Sequence, residues 1–193
     1  MIQQLVEQNY PKASTLNDGT PITIRPMGPT DRHLLWSFFQ KIPEQDRMYF
    51  KHDVAMQKTI DSWCTNIDYD KTLPLLALKG DAIIADATLH VDAGGWLSHI
   101  GMIRIVTGPD YRGKGIGNRL IQELIDVATL CKLDQLEADF MAEQQRSIES
   151  FEKLGFKRAY VMPHRVRDRK MQYHDLVVLT YDLTRKREEI GAG

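Results

Sequence analysis

The sequence predicts a single α/β domain in which a mixed, mostly antiparallel sheet is flanked by helices. The chain has 193 residues, 42% of them hydrophobic, which is enough for one sizeable core and short for two. Three strand-like runs follow one another between residues 73 and 107, separated by the turn signals "KGD" and "DAGG". These runs predict an antiparallel meander. A glycine loop and an amphipathic helical pattern come next, and such a helix needs a sheet to cover its apolar face.

The residues before the first of these runs predict an arm, a short strand and helices. Positions 1–20 are polar and interrupted by "YPKAS" and "NDGTP", which indicates an arm before the short strand "ITIRPM". Thr30 is the expected N-cap of a helix that ends before Pro43. That helix would bury four apolar side chains, those of Leu34, Leu35, Phe38 and Phe39. A second helical region is expected from Pro43 to Trp63.

The residues after the glycine loop predict two helices and three strands. The first helix follows from apolar residues at helical spacing, namely Ile116, Leu120, Ile121, Leu124, Ile125 and Ala128. "DQLEADF" predicts a strand, and a second helix is expected from Ala142 to Leu154, where Gly155 would end it. "FKRAYVM" and "HDLVVLTYDL" predict the last two strands, joined by the charged loop His164 to Lys170.

The organisation of the whole chain predicts its boundaries, and its charge, cysteine content and apolar runs exclude several classes of partner. We expect an arm over 1–20, a folded domain over 21–184 and a charged tail over 185–193. The net charge of -1 and the pI near 6.6 leave no bulk basic field, so nucleic acid is not an expected partner. Only Cys64 and Cys131 are present, and "MIQQLVEQNY" lacks the pattern of a secretory leader, which favours a cytoplasmic protein without a metal site. No apolar run reaches the roughly 20 residues of a membrane span, so no membrane partner is expected.

The stretch "VTGPDYRGKGIGNRL" places Gly113, Gly115 and Gly117 at alternate positions between an apolar run and a helical pattern. A Walker loop needs Gly-Lys followed by Ser or Thr, and no Gly-Lys pair of this sequence is followed by either. A dinucleotide fingerprint that starts at Gly113 needs a glycine where Asn118 stands. What remains is a loop of closely spaced amides at a helix N-terminus, where free N–H groups and the helix dipole favour an anion such as a pyrophosphate.

Side-chain charge in the same loop supports anion binding. A plain strand-to-helix turn would also use glycines, because they tolerate tight backbone conformations. This loop in addition carries Arg112, Lys114 and Arg119, which a turn does not need and a phosphate does. We therefore expect an anion to bind there.

The loop and the residues after it resemble the GNAT superfamily of acyl-CoA N-acyltransferases. In that family the pattern R/Q-x-x-G-x-G/A holds the coenzyme A pyrophosphate, and Arg112, Gly115 and Gly117 fill its three defined positions. The resemblance is strengthened by "QQRSIESFEKLGF", whose "KLGF" helix end follows about 40 residues later. It covers Ile22 to Leu183, and the opening "LNDGTPITIRPM" is similar to that of bacterial members that acetylate proteins or small amines.

The resemblance implies an N-acetyltransferase that moves an acetyl group from acetyl-CoA to a primary amine by direct attack, with no metal. It implies a GNAT-like sheet in which the strand from Met102 to Val106 splays from "LEADF" and leaves backbone groups for the pantetheine arm. The acceptor would be a small-molecule or protein amine, and a homodimer stays open. The cofactor-binding residues that it implies are Ile105, Val106, Thr107, Arg112, Gly113, Lys114, Gly115, Ile116, Gly117, Asn118, Gln144 and Phe151.

Three positions depart from the family pattern. Phe151 stands where the family often has a Tyr that donates a proton to the departing thiolate, and a phenyl ring has no proton to donate. Gly101 stands where an acid that acts as general base would be typical. Gln144 replaces a frequent Asn and can still offer an amide. The first two departures favour an alternative function, a catalytically weak module that binds acyl-CoA as a sensor or regulator.

The catalytic candidates come from the neighbourhood of these departures. Ser147 lies one helical turn before the missing proton donor, where it would hydrogen-bond the leaving sulfur or simply help to start the helix. His99 lies two residues before the missing acid and is its nearest titratable substitute, with a surface histidine at a strand edge as the alternative. The rival bases on other strands are Asp139, Glu137 and, as the weakest, His90.

Overall fold

The structure, a computed structural model, describes residues 2–65, 67–92 and 94–191. The strands in these ranges are β1 Lys12–Thr15, β2 Pro21–Pro26, β3 Thr72–Lys79, β4 Ala82–Val91, β5 Ile100–Thr107, β6 Gln135–Met141, β7 Lys157–Arg167 and β8 Tyr173–Asp182. The α-helices are α1 Ile2–Asn9, α2 Arg32–Gln40, α3 Glu44–Arg47, α4 Gln57–Thr65, α5 Ile116–Leu130, α6 Gln145–Lys153 and α7 Leu183–Gly191. One position of the predicted "DAGG" turn and the extreme ends of the predicted arm and tail lie outside the described residues.

The eight strands form one sheet in the order β1-β2-β3-β4-β5-β6-β8-β7. Every neighbouring pair is antiparallel except β5 and β6. Strands β3, β4 and β5 pair consecutively, which confirms the predicted meander. The predicted fold class, a mixed and mostly antiparallel sheet flanked by helices, is therefore confirmed.

The parallel pair at the centre of the sheet is short. Strands β5 and β6 are paired at three positions only, which are Ile100–Gln135, Gly101–Leu136 and Met102–Glu137. Beyond Met102, β5 stays beside β4 as far as Thr107, whereas β6 stays beside β8 as far as Met141. The two strands thus separate as predicted, and the later residues of β5 have no strand partner on that side within the described part of the chain.

Helices cover both faces of the sheet. Since alternate residues of a strand point to opposite faces, one strand contributes side chains to the clusters on both sides. In β3, Leu75 and Ala77 pack in the same cluster as the apolar face of α5. Leu76 and Leu78 pack instead in the cluster that includes α2 and α4. The apolar stripe of α5 is buried as predicted. Among the described helices, none combines the length and the apolar character that crossing a membrane requires.

Residues of the predicted arm and tail contact the rest of the fold. Helix α1 buries Ile2 and Val6, and β1 pairs with β2 at the edge of the sheet. In the turn between β1 and β2, the backbone N–H of Asn17 donates to the carbonyl of Lys114 at 3.1 Å. In the predicted tail, Nζ of Lys186 donates to Oδ1 of Asp126 in α5 at 2.6 Å. Isolated residues of otherwise polar segments make these contacts, and such residues leave no periodic pattern in the sequence.

Some predicted boundaries differ from the structure. Thr30 is not the N-cap of α2, because residues 29–31 form a 3-10 turn and Asp31 precedes the first helical residue. The second predicted helical region is divided into α3 and α4. The charged loop predicted from His164 is shorter, because β7 continues to Arg167 as one strand of a hairpin. Gly155 follows the end of α6 with φ +100°, as predicted.

Candidate active site

The glycine loop leaves the N-terminus of α5 open. Gly113 and Gly115 have φ values of +75° and +86°, in the left-handed region that glycine tolerates. Gly115 is the N-cap of α5, and a Cβ atom there would lie 2.6 Å from Oδ1 of Asn17. A Cβ atom at Gly117 would meet two side chains of β5 only at ordinary contact distances. Because no side chain caps the helix, its first N–H groups are available to an anion.

A cavity of about 950 Å³, here called the loop cavity, runs along the glycine loop, the end of β5 and the start of α6. All but one of the predicted cofactor residues line it, namely Ile105, Val106, Thr107, Arg112, Gly113, Gly115, Ile116, Gly117, Asn118, Gln144 and Phe151. The exception is Lys114, whose Nζ atom lies 3.2 Å from Oδ2 of Asp18. The sequence pattern therefore locates one continuous cavity.

Arg112 lies at the edge of the loop cavity in an ion pair. Its Nη2 donates to Oδ2 of Asp46 in α3 at 2.7 Å, and its Nε donates to the carbonyl of Thr107 at 3.4 Å. The Arg112 side chain is 49% exposed, and an ion pair this exposed contributes at most about 1 kcal/mol. A phosphate, with its greater charge, would therefore compete effectively with Asp46 for the guanidinium.

A second cavity of about 620 Å³, here called the inner cavity, adjoins the loop cavity along β4 and β5. The two cavities share the lining residues Tyr49, Phe50, Ile105, Val106, Gln144 and Phe151. Phe39 and Trp63 contribute aromatic walls, and alternate residues of β4 contribute polar ones. Because the shared residues include the part of β5 that has left β6, the cavities meet at the splayed strands.

Asp86 is a carboxylate in the middle of β4 that lines the inner cavity. Its Oδ1 atom is buried and has no hydrogen-bond partner among the described residues. Burial raises the pKa of Asp86 to about 7, although the hydroxyl of Thr88 opposes the rise. A carboxylate that titrates near neutral pH in a cavity is typical of a general base.

His90 lies two residues beyond Asp86 on β4 and faces the same cavity. Burial, and after it the nearby cation of Arg104, lower the pKa of His90 to about 4. Its Nδ1 atom lies 3.4 Å from the hydroxyl oxygen of Thr72. The imidazole is therefore neutral near pH 7 and contributes hydrogen bonds rather than charge.

Three cations, Lys51, Lys71 and Arg104, line the inner cavity with different partners. Nζ of Lys71 lies 3.2 Å from Oδ2 of Asp68. Nζ of Lys51 lies 2.6 Å from Oδ2 of Asp139, whose side chain is 14% exposed. Arg104 makes no ion pair within the described part of the chain, and its Nε atom is buried without a hydrogen-bond partner. Its Nη2 atom reaches only the sulfur of Met102, at 3.9 Å. Burial lowers the pKa of Arg104, but a guanidinium stays charged in proteins.

The predicted catalytic residues lie in different places. His99 is exposed in the turn before β5 and lines neither cavity, because the strand begins only at Ile100 and does not carry His99 onto the expected face. Asp139 lines the inner cavity. Ser147 lines the loop cavity in the first turn of α6. Glu137 lines neither cavity and accepts a hydrogen bond from the side chain of Gln135 at 2.9 Å.

Gly101 has no room for the acid that the family pattern suggests. A Cβ atom there would lie 2.8 Å from Leu89, 2.9 Å from Leu133 and 3.0 Å from Leu136, all in the core beneath α5. That face of the sheet is opposite to the one that carries Asp86. Sequence reasoning missed Asp86, although an acid within the apolar run "AIIADATL" was a signal for it.

Phe151 and Gln144 stand where the two cavities join. The Phe151 ring is 1% exposed and packs edge-on between Phe140 and Phe156, with ring centroids 5.0 and 4.9 Å away. Gln144 precedes α6, and its Oε1 accepts a hydrogen bond from the backbone N–H of Met141 at 2.9 Å. This bond fixes the orientation of the amide and leaves its NH₂ group available to a ligand.

Comparison with known proteins identifies related sequences. Residues 32–156 match the model of the Acetyltransferase (GNAT) family. Over 125 residues the chain is 27% identical to the L-amino acid N-acyltransferase MnaT of Escherichia coli (strain K12), a match that covers 62% of this chain and 70% of that protein.

Solved structures share the architecture at lower identity. The GNAT domain of S. lividans PAT has a TM-score of 0.74 and 18% identity, covering 89% of this chain and 96% of that one. The ribosomal-protein-S5-alanine acetyltransferase from Vibrio fischeri has a TM-score of 0.73 and 13% identity, covering 83% of this chain and 92% of that one. At these identities the likeness shows the fold alone.

Proposed function

This chain belongs to the Acetyltransferase (GNAT) family, and we propose that it transfers an acetyl group from acetyl-CoA to the primary amine of a small molecule or protein. The observation that carries the proposal is the junction of the loop cavity with the inner cavity at the splayed strands. One cavity ends in an anion site, and the other contains a candidate base. Acetyl-CoA supplies an acetyl group on a thioester, which an amine can attack.

The residues of the loop cavity suit coenzyme A. The open N-terminus of α5 would bind the pyrophosphate, and Gly115 at its N-cap leaves room for the side chain of Asn17. Arg112 would exchange Asp46 for a phosphate oxygen. The unpaired edge of β5 and the NH₂ group of Gln144 would hydrogen-bond the amides of the pantetheine arm.

Asp86 would take the proton of the incoming amine. An alkyl amine with a pKa of about 10.4 is mostly protonated at neutral pH and has no lone pair to attack with. The Asp86 carboxylate, with a pKa of about 7, accepts one N–H proton directly or through a water molecule. The nitrogen lone pair then forms the C–N bond, and the C–S bond breaks with its electron pair on sulfur. The nitrogen loses its second proton to the departing thiolate through solvent, and Asp86 returns the first proton to solvent.

The departing thiolate would receive little help from Phe151, which has no proton to donate. Ser147 lines the loop cavity in the first turn of α6 and would hydrogen-bond the sulfur. Ser150 also lines this cavity, but its hydroxyl donates to the carbonyl of Arg146 at 2.8 Å. A thiol with a pKa of about 8.5 leaves readily as the thiolate. Positioning of amine and thioester in the joined cavities would then supply much of the rate.

The test is acetyl-CoA consumption with a panel of amines, read as free thiol, with the acetylated product identified by mass spectrometry. We expect at least one primary amine to be acetylated, with a rate that depends on Asp86. If no amine in a panel of amino acids, polyamines and peptides is acetylated, although calorimetry shows that coenzyme A binds, the enzyme proposal is wrong.

Binding of coenzyme A without acetylation of any amine would support the alternative function, an acyl-CoA sensor. The specific observation in its favour is Phe151, a buried ring where the family often has a proton donor. A sensor would bind acetyl-CoA at the same loop cavity without releasing thiol, so binding and turnover measured on one preparation distinguish the two functions.

A further inference from the structure

The junction of the two cavities is where the sulfur of acetyl-CoA would lie in the proposed reaction. The pyrophosphate would bind at the glycine loop, which lines the loop cavity, and the amine would meet Asp86, which lines the inner cavity. The thioester connects these two parts of the reaction, so its sulfur belongs where the cavities meet. Phe151 lines this junction and has no proton to give to the sulfur.

Tyr49 is the one residue with an acidic proton among the described residues that line both cavities. Those residues are Tyr49, Phe50, Ile105, Val106, Gln144 and Phe151. The amide of Gln144 donates hydrogen bonds but is not acidic near neutral pH. The hydroxyl of Ser147 lines the loop cavity only, and an aliphatic hydroxyl is a much weaker acid than a phenol.

The segment that carries Tyr49 runs from one cavity into the other. Asp46 lines only the loop cavity and pairs with Arg112 at 2.7 Å, whereas Lys51 lines only the inner cavity and pairs with Asp139 at 2.6 Å. These ion pairs anchor the segment on both sides of Tyr49. The backbone N–H of Tyr49 donates to the carbonyl of Asp46 at 3.2 Å, which continues the turn of α3. Residues three apart in such a turn share a face, so Tyr49 lies on the same side as Asp46.

The hydroxyl of Tyr49 is available to a ligand. It makes no hydrogen bond to any residue in the described part of the chain. Burial, and after it the nearby carboxylates of Glu143 and Asp46, raise the pKa of Tyr49 above its ordinary value, so the phenol keeps its proton at neutral pH. Both carboxylates have other partners, since Glu143 lies 2.9 Å from Nδ1 of His174 and Asp46 pairs with Arg112.

We propose that Tyr49 is the general acid that protonates the departing sulfur, in place of the tyrosine whose position Phe151 occupies in the family pattern. This inference rests on the proposed acetyl transfer and adds a catalytic residue to it. As the C–S bond breaks with its electron pair on sulfur, the O–H bond of Tyr49 breaks and its proton forms an S–H bond. The phenolate regains, through solvent, the second proton that the nitrogen releases, so Tyr49 is restored after each turnover.

Single-turnover kinetics with an amine that is acetylated test this role. Tyr49→Phe removes the hydroxyl and keeps the ring, so we expect the rate to fall at least about tenfold while the calorimetric affinity for acetyl-CoA changes little. Phe151→Tyr supplies a hydroxyl from α6 and should restore part of the rate in the double variant. Tyr160→Phe is the matched control, since Tyr160 is exposed and lines neither cavity. Thermal melts verify that each variant is folded.

The thiol pKa of bound coenzyme A gives a second readout that needs no acceptor amine. Wild type, Tyr49→Phe and Tyr160→Phe are each saturated with coenzyme A, and the ultraviolet absorbance of the thiolate is followed as pH is raised. A hydroxyl that donates to the sulfur stabilises the thiolate. We therefore expect the pKa of the bound thiol to be about one unit lower in wild type than in Tyr49→Phe, a tenfold change in its ionisation constant.

The two measurements separate this inference from the proposed function. If Tyr49→Phe changes the thiol pKa but no amine is acetylated, the contact of Tyr49 with the sulfur is supported and the proposed reaction fails. Acetylation at an unchanged single-turnover rate in Tyr49→Phe, or a thiol pKa equal to that of wild type, overturns the inference while acetyl transfer stands. A higher KM for the amine alone would place Tyr49 in acceptor binding and would overturn it as well.

Discussion

Asp86→Asn keeps the shape of the side chain while removing its charge and its capacity to accept a proton. If Asp86 is the general base, kcat/KM for the amine should fall by about 10²–10⁴, the range that positioned acids and bases contribute. Because the pKa of Asp86 is about 7, the wild-type rate should rise with pH through neutrality and then level off. The variant should lose that limb of the profile.

The same substitution should change the pH dependence of stability. The pKa of Asp86 rises from 3.8 to about 7 on folding. Between these values the folded state retains a proton that the unfolded chain has released, so the free energy of unfolding falls as pH rises. A pKa difference of about three corresponds to a loss of about 4 kcal/mol, complete above pH 7. Asparagine cannot ionise, so Asp86→Asn should be more stable than wild type above pH 7, and this advantage should shrink toward pH 4.

The assay is urea unfolding of both proteins at intervals from pH 5 to 8.5, beside kcat/KM over the same range. The nearest ionisable neighbour on the strand, His90, has a pKa of about 4 and stays neutral across this window. Differences between wild type and variant therefore report Asp86. The reasoning is refuted if Asp86→Asn keeps kcat/KM within about threefold of wild type and the stability difference does not vary with pH.

Three further substitutions test the loop cavity and the cavity junction. Gly117→Val places a branched side chain beside the pyrophosphate position and should weaken coenzyme A binding at least about tenfold, measured by calorimetry on folded protein. Unchanged affinity would contradict the phosphate site. Arg112→Glu should raise the apparent constant for acetyl-CoA far more than that for the amine in steady-state kinetics, and the reverse pattern would place Arg112 in the acceptor site. Phe151→Tyr should raise turnover about tenfold if its hydroxyl reaches the sulfur. If instead the free energy of unfolding falls by about 1–3 kcal/mol and turnover does not rise, the hydroxyl is buried without a hydrogen-bond partner.

The elements predicted best from the sequence were those with a strong local pattern. The apolar stripe of α5, the turns of the meander and the glycine loop each depend on residues that are close together in the sequence. The splay between β5 and β6 came from the family resemblance rather than from periodicity. The contacts of α1 and β1 were missed, because Ile2 and Val6 meet partners far away in the chain.

The residues proposed to act on the acceptor amine were predicted less well, because their environment also comes from residues that are far apart in the chain. His99 was chosen for its sequence distance from Gly101, but three leucines from separate elements occupy the space beside that glycine and β5 starts after His99. Asp86 owes its raised pKa to burial under residues from several elements, and no local pattern encodes that environment. Arg104 was missed because the burial of its Nε atom, without a hydrogen-bond partner among the described residues, is a property of the folded cavity.

Because β5 and β6 are paired at only three positions, the sheet consists of two plates, one of five strands and one of three. Asp86 and Arg104 belong to the larger plate, and Asp139 belongs to the smaller one. Nζ of Lys51 contacts both plates, because it lies 2.6 Å from Oδ2 of Asp139 on β6 and 3.7 Å from the sulfur of Met102 on β5. A small rotation of one plate against the other would widen the gap and move Asp139 relative to Arg104 together. The three paired positions of β5 and β6 thus set the relative placement of cavity residues that belong to different plates.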